Sequence, residues 1–279
     1  MAEILTDSCA DLDQELIERF NLRIIPLSVF IDGKTLHDGE DIQIEELFRL
    51  VGKTGTLPKT SAPSIPEFYE FFRTSKEADI VYICIGSALS ATFQNATLAA
   101  KGLPDRRISV IDSKNLSTGI GLLVLKAAEI GMGGHSHAEI VSEIEAAIPK
   151  IHTSFFIDTL DYLYKGGRCS AVENIAGSLL KIHPVIEVRP DGTLGVKEKI
   201  HGSRKKSLEY LLDDFKAHLA EIDLHRVFVT HTGCDEDADL LKQQLLAMAP
   251  IEEVCITTAG ATVASHCGPG TIGILYISK

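Results

Sequence analysis

The sequence predicts an α/β protein of two domains, and three observations carry that prediction. Short aliphatic and β-branched runs recur at Glu3–Thr6, Ile80–Ile85, Ile108–Ile111, Val227–Thr230 and Val254–Thr258. Several are apolar at nearly every position, as strands covered on both faces by helices are. Each run ends in small hydroxylated or glycine residues and leads into a segment of helical periodicity, the alternation that builds a parallel sheet. The third observation is length, since 279 residues suit two domains at roughly 100 to 200 residues apiece.

Taken in order, helical periodicity falls at 11–20, 43–52, 65–76, 90–101, 116–130 and 136–149, and then at 204–221 and 235–248. The helix at 65–76 has its own start signal, Ser64 followed by Glu67 as a capping box with Pro66 in the first turn. In 204–221, Leu208, Leu211, Leu212, Phe215 and Leu219 share one face while Asp213, Asp214 and Lys216 point away. Asp235, Glu236, Asp237 and Asp239 complement the positive end of the helix they open. Between Phe155 and Ile200 the alternation gives way to an antiparallel pair, Pro184–Arg189 and Thr193–Ile200, joined by the turn Pro190-Asp191-Gly192. The domain boundary is therefore expected near Ile151, giving an N-terminal parallel-sheet α/β domain over 1–150 and a C-terminal α/β domain with a mixed or antiparallel element over 151–279.

Composition narrows the functions. Hydrophobic residues make up 45% and charged residues 24%, an ordinary globular balance. A net charge of −12 repels nucleic acid and anionic membrane surfaces over the molecule as a whole. The longest apolar stretch, Ile120–Leu125, is six residues, far short of the roughly 20 that span a bilayer. Six cysteines (Cys9, Cys84, Cys169, Cys234, Cys255, Cys267) show no CxxC spacing and no signal peptide precedes them, so reduced thiols and a cytoplasmic location are expected. No GxxxxGK[ST], GxGxxG or GxSxG motif is present, which removes the usual support for ATP, NAD and hydrolase readings. His135 with His137, and His231 with Cys234, lack the second pair of ligands a metal site needs, and no metal or cofactor is expected.

What the strand ends share is short hydroxyl side chains: Thr6-Asp7-Ser8, Ser87 to Thr92, Asp112-Ser113 and Thr230-His231-Thr232, with a further cluster at Thr60-Ser61. Open sheets bind ligands beyond the carboxyl ends of their strands, where helix N-termini favour anions. The same residues also serve as N-caps, so each taken singly allows both readings. His266, ahead of the turn Cys267-Gly268-Pro269-Gly270, either donates to a ligand oxygen or caps a helix C-terminus. From Lys165 to Lys206 nine basic residues face four acidic ones, a net of +5 that leaves −17 for the rest. Arg204, Lys205 and Lys206 stand in the first turn of a helix, where cations oppose the dipole. That segment is either a solvated basic face or a docking surface for an anionic partner.

Five strings in one order, Thr6-Asp7-Ser8, Thr60-Ser61-Ala62-Pro63-Ser64, Ser87 to Ala96, Asp158 to Arg168 and His266 to Gly270, resemble the DegV family of bacterial fatty-acid-binding proteins, essentially end to end. The resemblance implies a DegV-like two-domain fold holding one long-chain fatty acid in a buried tunnel. It implies a carrier without its own ATP site, presenting the carboxylate to a separate kinase subunit similar to dihydroxyacetone kinase, which makes the acyl phosphate. Carried over to this chain, Ser90 and Thr60 bond the carboxylate, Thr92, Ser61 and His266 complete the polar network, and Arg168 and Arg204 belong to the face met by the kinase or its phosphates. The family has Gly where this chain has Ala91 and Gln where it has Ala62. Two other functions fit the residues: a self-sufficient kinase using the hydroxyl-lined strand ends, and a sensor whose lipid switches a protein contact.

Overall fold

A computed structural model describes residues 2–168 and 182–279, leaving Cys169, Glu173 and Lys181 outside the described residues. The chain runs through β1 (Glu3–Asp7), α1 (Gln14–Arg19), β2 (Arg23–Ile25), β3 (Ser28–Ile31), β4 (Lys34–His37), α2 (Ile44–Thr54), β5 (Lys59–Ser61), α3 (Ile65–Arg73), β6 (Asp79–Cys84), α4 (Thr92–Ala100) and β7 (Arg107–Asp112). It continues with α5 (Thr118–Met132), α6 (His137–Ala147), β8 (Ile151–Phe156), α7 (Asp161–Gly166), β9 (Ile182–Val188), β10 (Leu194–His201), α8 (Arg204–Ala217), β11 (Ile222–His231), α9 (Asp235–Met248), β12 (Glu253–Thr258), α10 (Ala261–Cys267) and β13 (Ile272–Ser278).

Three sheets result. The first is wholly parallel, in the order β2-β1-β6-β7. The second is mixed, β10-β9-β8-β13-β11-β12, parallel only between β11 and β12. The expected antiparallel pair is β9–β10, with Gly192 at φ 83° in its turn. The third, β4-β3-β5, is a small antiparallel sheet inside what the sequence predicts as plain strand–helix alternation. Its strands are three or four residues long and partly polar, so they give no apolar run. They do have a turn signal, because Asp32 and Gly33 both adopt positive φ (51° and 72°), as the two-residue hairpin of an Asp-Gly pair requires.

Helix α5 explains how the two larger sheets cohere. It is buried at eleven of its fifteen positions, which suits a helix covered on all sides. One core cluster joins it to Ile4 and Val81 of the parallel sheet and to Phe155, Phe228 and Leu275 of the mixed sheet. Outer layers complete the fold: Phe68, Phe72 and Tyr82 pack together behind the parallel sheet, and Leu208, Leu211, Leu241 and Leu245 cover the mixed one. The small sheet packs on α2 and on Ala261 and Ala264 of α10. No helix among the described residues is long and apolar enough to cross a membrane.

Candidate functional site

The site forms where α10, β5 and the β6–α4 loop meet. Helix α10 is fixed at its start by two carboxylates, since Gly260 N–H donates to Asp11 (2.8 Å) and Ala261 N–H to Asp38 (2.6 Å). Burial raises both carboxyl pKa values, and these hydrogen bonds oppose the rise. At its other end His266 projects toward β5, where Nε2 lies 2.8 Å from Thr60 Oγ1. His266 therefore stands inside the last turn with its ring turned to another strand, and does not cap its own helix.

The ring is held in a tight slot. Its Nδ1 makes no hydrogen bond, and a Cβ on Gly166 would stand 2.5 Å from that nitrogen, so any larger residue there must displace the ring. Burial, helped by the positive charge of Arg168, lowers the His266 pKa to about 4, leaving a neutral imidazole at pH 7. A buried lone pair is a cheaper orphan than a buried N–H. We therefore assign the proton to Nε2, which donates to Thr60 and leaves the threonine O–H to point onward.

Ser90 arrives on the loop after β6. Leu89 and Ser90 N–H groups fold back on the Gly86 carbonyl (2.9 and 3.2 Å). A Cβ at Gly86 would lie 3.0 Å from Asn115 N, so this glycine keeps the loops after β6 and β7 in contact. Ser90 Oγ is 2.8 Å from Thr92 Oγ1 and accepts the Thr92 N–H at 3.3 Å. The N-cap position of α4 is Ala91, one residue after Ser90, yet Ser90 Oγ meets the N–H of Thr92, the first residue of the helix, so this side chain also serves the helix start. Ala91 is exposed at φ −74°, a conformation open to any residue, and it replaces glycine there without backbone strain.

Thr60, Ser61, Ser90, His266 and Arg168 line one cavity, together with Ala62 and the apolar Leu27, Ile85, Leu89, Leu116, Leu163, Leu194 and Val263. Thr92 stands behind Ser90, fully buried, and reaches the site through it. Arg168 is expected from the resemblance on a partner-facing surface; its exposed side chain lies at the cavity, donating to Leu89 O (3.4 Å) and Gly166 O (2.7 Å). A cation thus stands beside hydroxyl donors that the sequence presents as an uncharged set.

Arg204 is absent from this cavity. Its Nε pairs with Asp237 (2.6 Å), its Nη1 with Asp158 (2.7 Å) and the Gly270 carbonyl (2.6 Å), and its guanidinium lies over the Phe156 ring. These partners account for a cation in the first turn of α8, where the dipole alone opposes it. The capping box of Ser64 and Glu67 is present, and a second one, Ser136 with Glu139, occupies the His135–His137 loop. Among the described residues no group of three or more His, Cys, Asp or Glu side chains is arranged to hold a metal ion. Cys9, Cys84, Cys234, Cys255 and Cys267 are free thiols.

Comparison with known proteins gives one consistent result. The profile described as "Uncharacterised protein, DegV family" matches residues 1–279. A DegV domain-containing protein of Caldanaerobacter subterraneus is 35% identical over 278 residues, covering 99% of this chain and 98% of the relative. Among solved structures, a fatty-acid-binding DegV family protein from Thermus thermophilus superposes with a TM-score of 0.93 at 32% identity, covering 100% of this chain and 99% of that one. A stearic acid-binding protein from Eubacterium ventriosum gives 0.88 at 27% identity, with the same coverage.

Proposed function

We propose, from the premise that this chain belongs to the DegV family, that it holds one long-chain fatty acid in the cavity beside α10 and presents the carboxylate to a separate ATP-dependent kinase subunit. The observation that carries the reading is a cavity with leucine-rich walls and hydroxyls gathered at Thr60, Ser61 and Ser90. Its likeness to the Thermus and Eubacterium proteins, which bind fatty acids, supports the same ligand class.

The chemistry follows from the donors. A buried carboxylate must be met by hydrogen bonds or it takes up a proton. Thr60, accepting from His266, sends its O–H to one oxygen; Ser90, accepting from Thr92, sends its O–H to the other. Each such bond contributes about 1.5–3 kcal/mol because the acceptor is charged. The tail adds roughly 0.8 kcal/mol for each buried CH₂ and supplies most of the affinity. Hydroxyl donors leave the oxygen nucleophilic, so that it can attack the γ-phosphorus of ATP, form the acyl phosphate and release ADP. Arg168, exposed at the cavity mouth, takes the charge of the incoming phosphates. The ATP site belongs to the partner, a subunit similar to dihydroxyacetone kinase, and the complex works in the cytoplasm.

Two titrations on the isolated chain test this division. Oleate is expected to bind and Mg–ATP to leave no heat signal, while adding the kinase subunit to the oleate-loaded chain yields acyl phosphate. Nucleotide binding by the chain alone would make it a self-sufficient enzyme. Bound lipid without acyl phosphate in the presence of the kinase would make it a sensor.

A further inference from the structure

Helix α10 is seven residues long, and all of them except His266 are buried. A helix of that length gains little from its own hydrogen bonds, so its place depends on what holds its ends. The C-terminal end is tied to loops of the mixed sheet, where Thr232 O–H donates to the Gly268 carbonyl (2.7 Å) and Thr271 O–H to the Cys267 carbonyl (3.0 Å). The N-terminal end has no side-chain cap of its own. Its first N–H groups go instead to Asp11 and Asp38, 249 and 223 positions away and nearly inaccessible at 5% and 3% exposure.

Neutral donors complete each carboxylate. Ser117 O–H donates to Asp11 (2.5 Å) and Ser8 O–H to Asp38 (2.9 Å), and Ser8 Oγ also accepts the Leu27 N–H (3.1 Å). Leu27, and Leu116 beside Ser117, are walls of the Thr60 cavity. A serine in the place of Gly260 would cap the helix without burying two anions. It would not tie the helix to the turn after β1 and to the end of β4, and that tie is what the carboxylates add. Gly260 fits this arrangement: its φ of −66° suits any residue, yet a Cβ there would stand 2.9 Å from Asp38 Oδ1 and 3.3 Å from Asp11 Oδ1.

We propose that Asp11 and Asp38 are positioning residues for His266, setting the place of α10 across the cavity, and with it the contact of His266 with Thr60, without touching the ligand. The inference rests on the fatty-acid reading above and deepens it. Thr60, Ser61 and Ser90 reach the cavity from the same early part of the chain as the two aspartates, whereas His266 arrives from the far end, so the clamp joins the two sources of head-group chemistry. A shift of about 1 Å abolishes a hydrogen bond such as the 2.8 Å His266–Thr60 contact, but costs apolar contacts only part of their attraction.

The test measures binding of oleate and of oleyl alcohol, which has the tail and no carboxylate, to the delipidated full-length chain. Asp38→Ala is expected to weaken oleate about tenfold and oleyl alcohol much less, and Asp38→Asn, which keeps an acceptor for the Ala261 N–H, to restore most of the oleate affinity. Adding Thr60→Val to Asp38→Ala should cost little more, because the displacement acts through Thr60. Gly260→Ala keeps both carboxylates and pushes the helix off them, so it should show the same oleate-selective loss and supplies the measurement should Asp38→Ala not fold. Equal losses for the two ligands, or unchanged oleate affinity in the folded variants, overturn the positioning role and leave fatty-acid binding standing. A wild-type chain that does not bind oleate overturns both.

Discussion

Thr60 on β5 and His266 on α10 lie 206 positions apart in the sequence, and their side chains meet at 2.8 Å between Oγ1 and Nε2. The pair ties the small antiparallel sheet to α10, whose start is held by two buried aspartates, Asp11 and Asp38. Replacing Thr60 by Val keeps the shape and removes the hydroxyl. Oleate affinity is expected to fall by about 1–3 kcal/mol with the melting temperature nearly unchanged, and Thr60→Ser to restore most of it. Calorimetric titration of both variants reads the difference; full affinity in Thr60→Val would remove Thr60 from the head-group site.

Ser90→Ala deprives a buried carboxylate oxygen of its other hydroxyl donor. Retained lipid per mole of protein, and oleate affinity, are expected to drop by a similar 1–3 kcal/mol with the fold intact, since Ser90 lies on a loop whose turn is made by backbone bonds to Gly86. Unchanged affinity would place the carboxylate elsewhere.

His266 gives the protein a pH signature. Its folded pKa, lowered by burial and by Arg168 to about 4, lies below that of the unfolded chain, near 6.5. The unfolded state therefore binds the additional proton first, and stability is lost as pH falls from 6.5 toward 4. Asp7 acts in the opposite sense, because burial raises its pKa to about 6 and the folded state takes up a proton as pH falls from there toward 4. Burial raises Asp11 and Asp38 in the same sense as Asp7, so in the wild type these carboxyls oppose the histidine's contribution. In His266→Gln the loss disappears, so its melting temperature relative to wild type is expected to rise steadily between pH 6.5 and 4; a flat difference across that window would contradict the assignment.

Gly166→Ala places a methyl group 2.5 Å from His266 Nδ1. The ring must turn away and release Thr60, so fatty-acid affinity is expected to fall about as far as in Thr60→Val. The double variant should add little, because both changes break the same contact. Additive losses in a double-mutant cycle would show that Gly166 acts by another route.

Arg204→Ala separates a structural role from a docking one. The side chain bonds Asp158, Asp237 and Gly270 O, so truncation leaves two carboxylates without their cation and is expected to cost about 2 kcal/mol in denaturant unfolding. Oleate affinity should remain, since Arg204 does not line the cavity, while acyl phosphate formation with the kinase subunit should decline. Loss of oleate binding in the folded variant would link Arg204 to the lipid site.

The sequence announces β1, β6 and β7 of the parallel sheet and the β9–β10 pair clearly, because a strand buried between helices has an apolar run and a Pro-Asp-Gly turn has its own chemistry, whereas β2, three residues long, falls outside the expected set. The β3–β4 hairpin is less visible. Its strands are short and half polar, and only Asp32-Gly33 marks the turn. Strands β8 and β13, central in the mixed sheet, fall outside the expected set, although Ile272–Ser278 is as apolar as any. Thr60, Ser90 and His266 are readable as chemistry-bearing residues, yet nothing local brings a histidine onto a threonine 206 positions away. That meeting depends on α10, seven residues long and set in place by Asp11 and Asp38. The reach of Arg168 to the cavity and the pairing of Arg204 with Asp237 are equally products of tertiary packing, which charge counting along the chain does not register.

The most direct measurement is denaturing extraction of the purified chain, prepared without added lipid, followed by mass spectrometry of the released small molecules. The account predicts close to one long-chain fatty acid per chain. A chain that releases none, and then fails to take up added oleate, would contradict it.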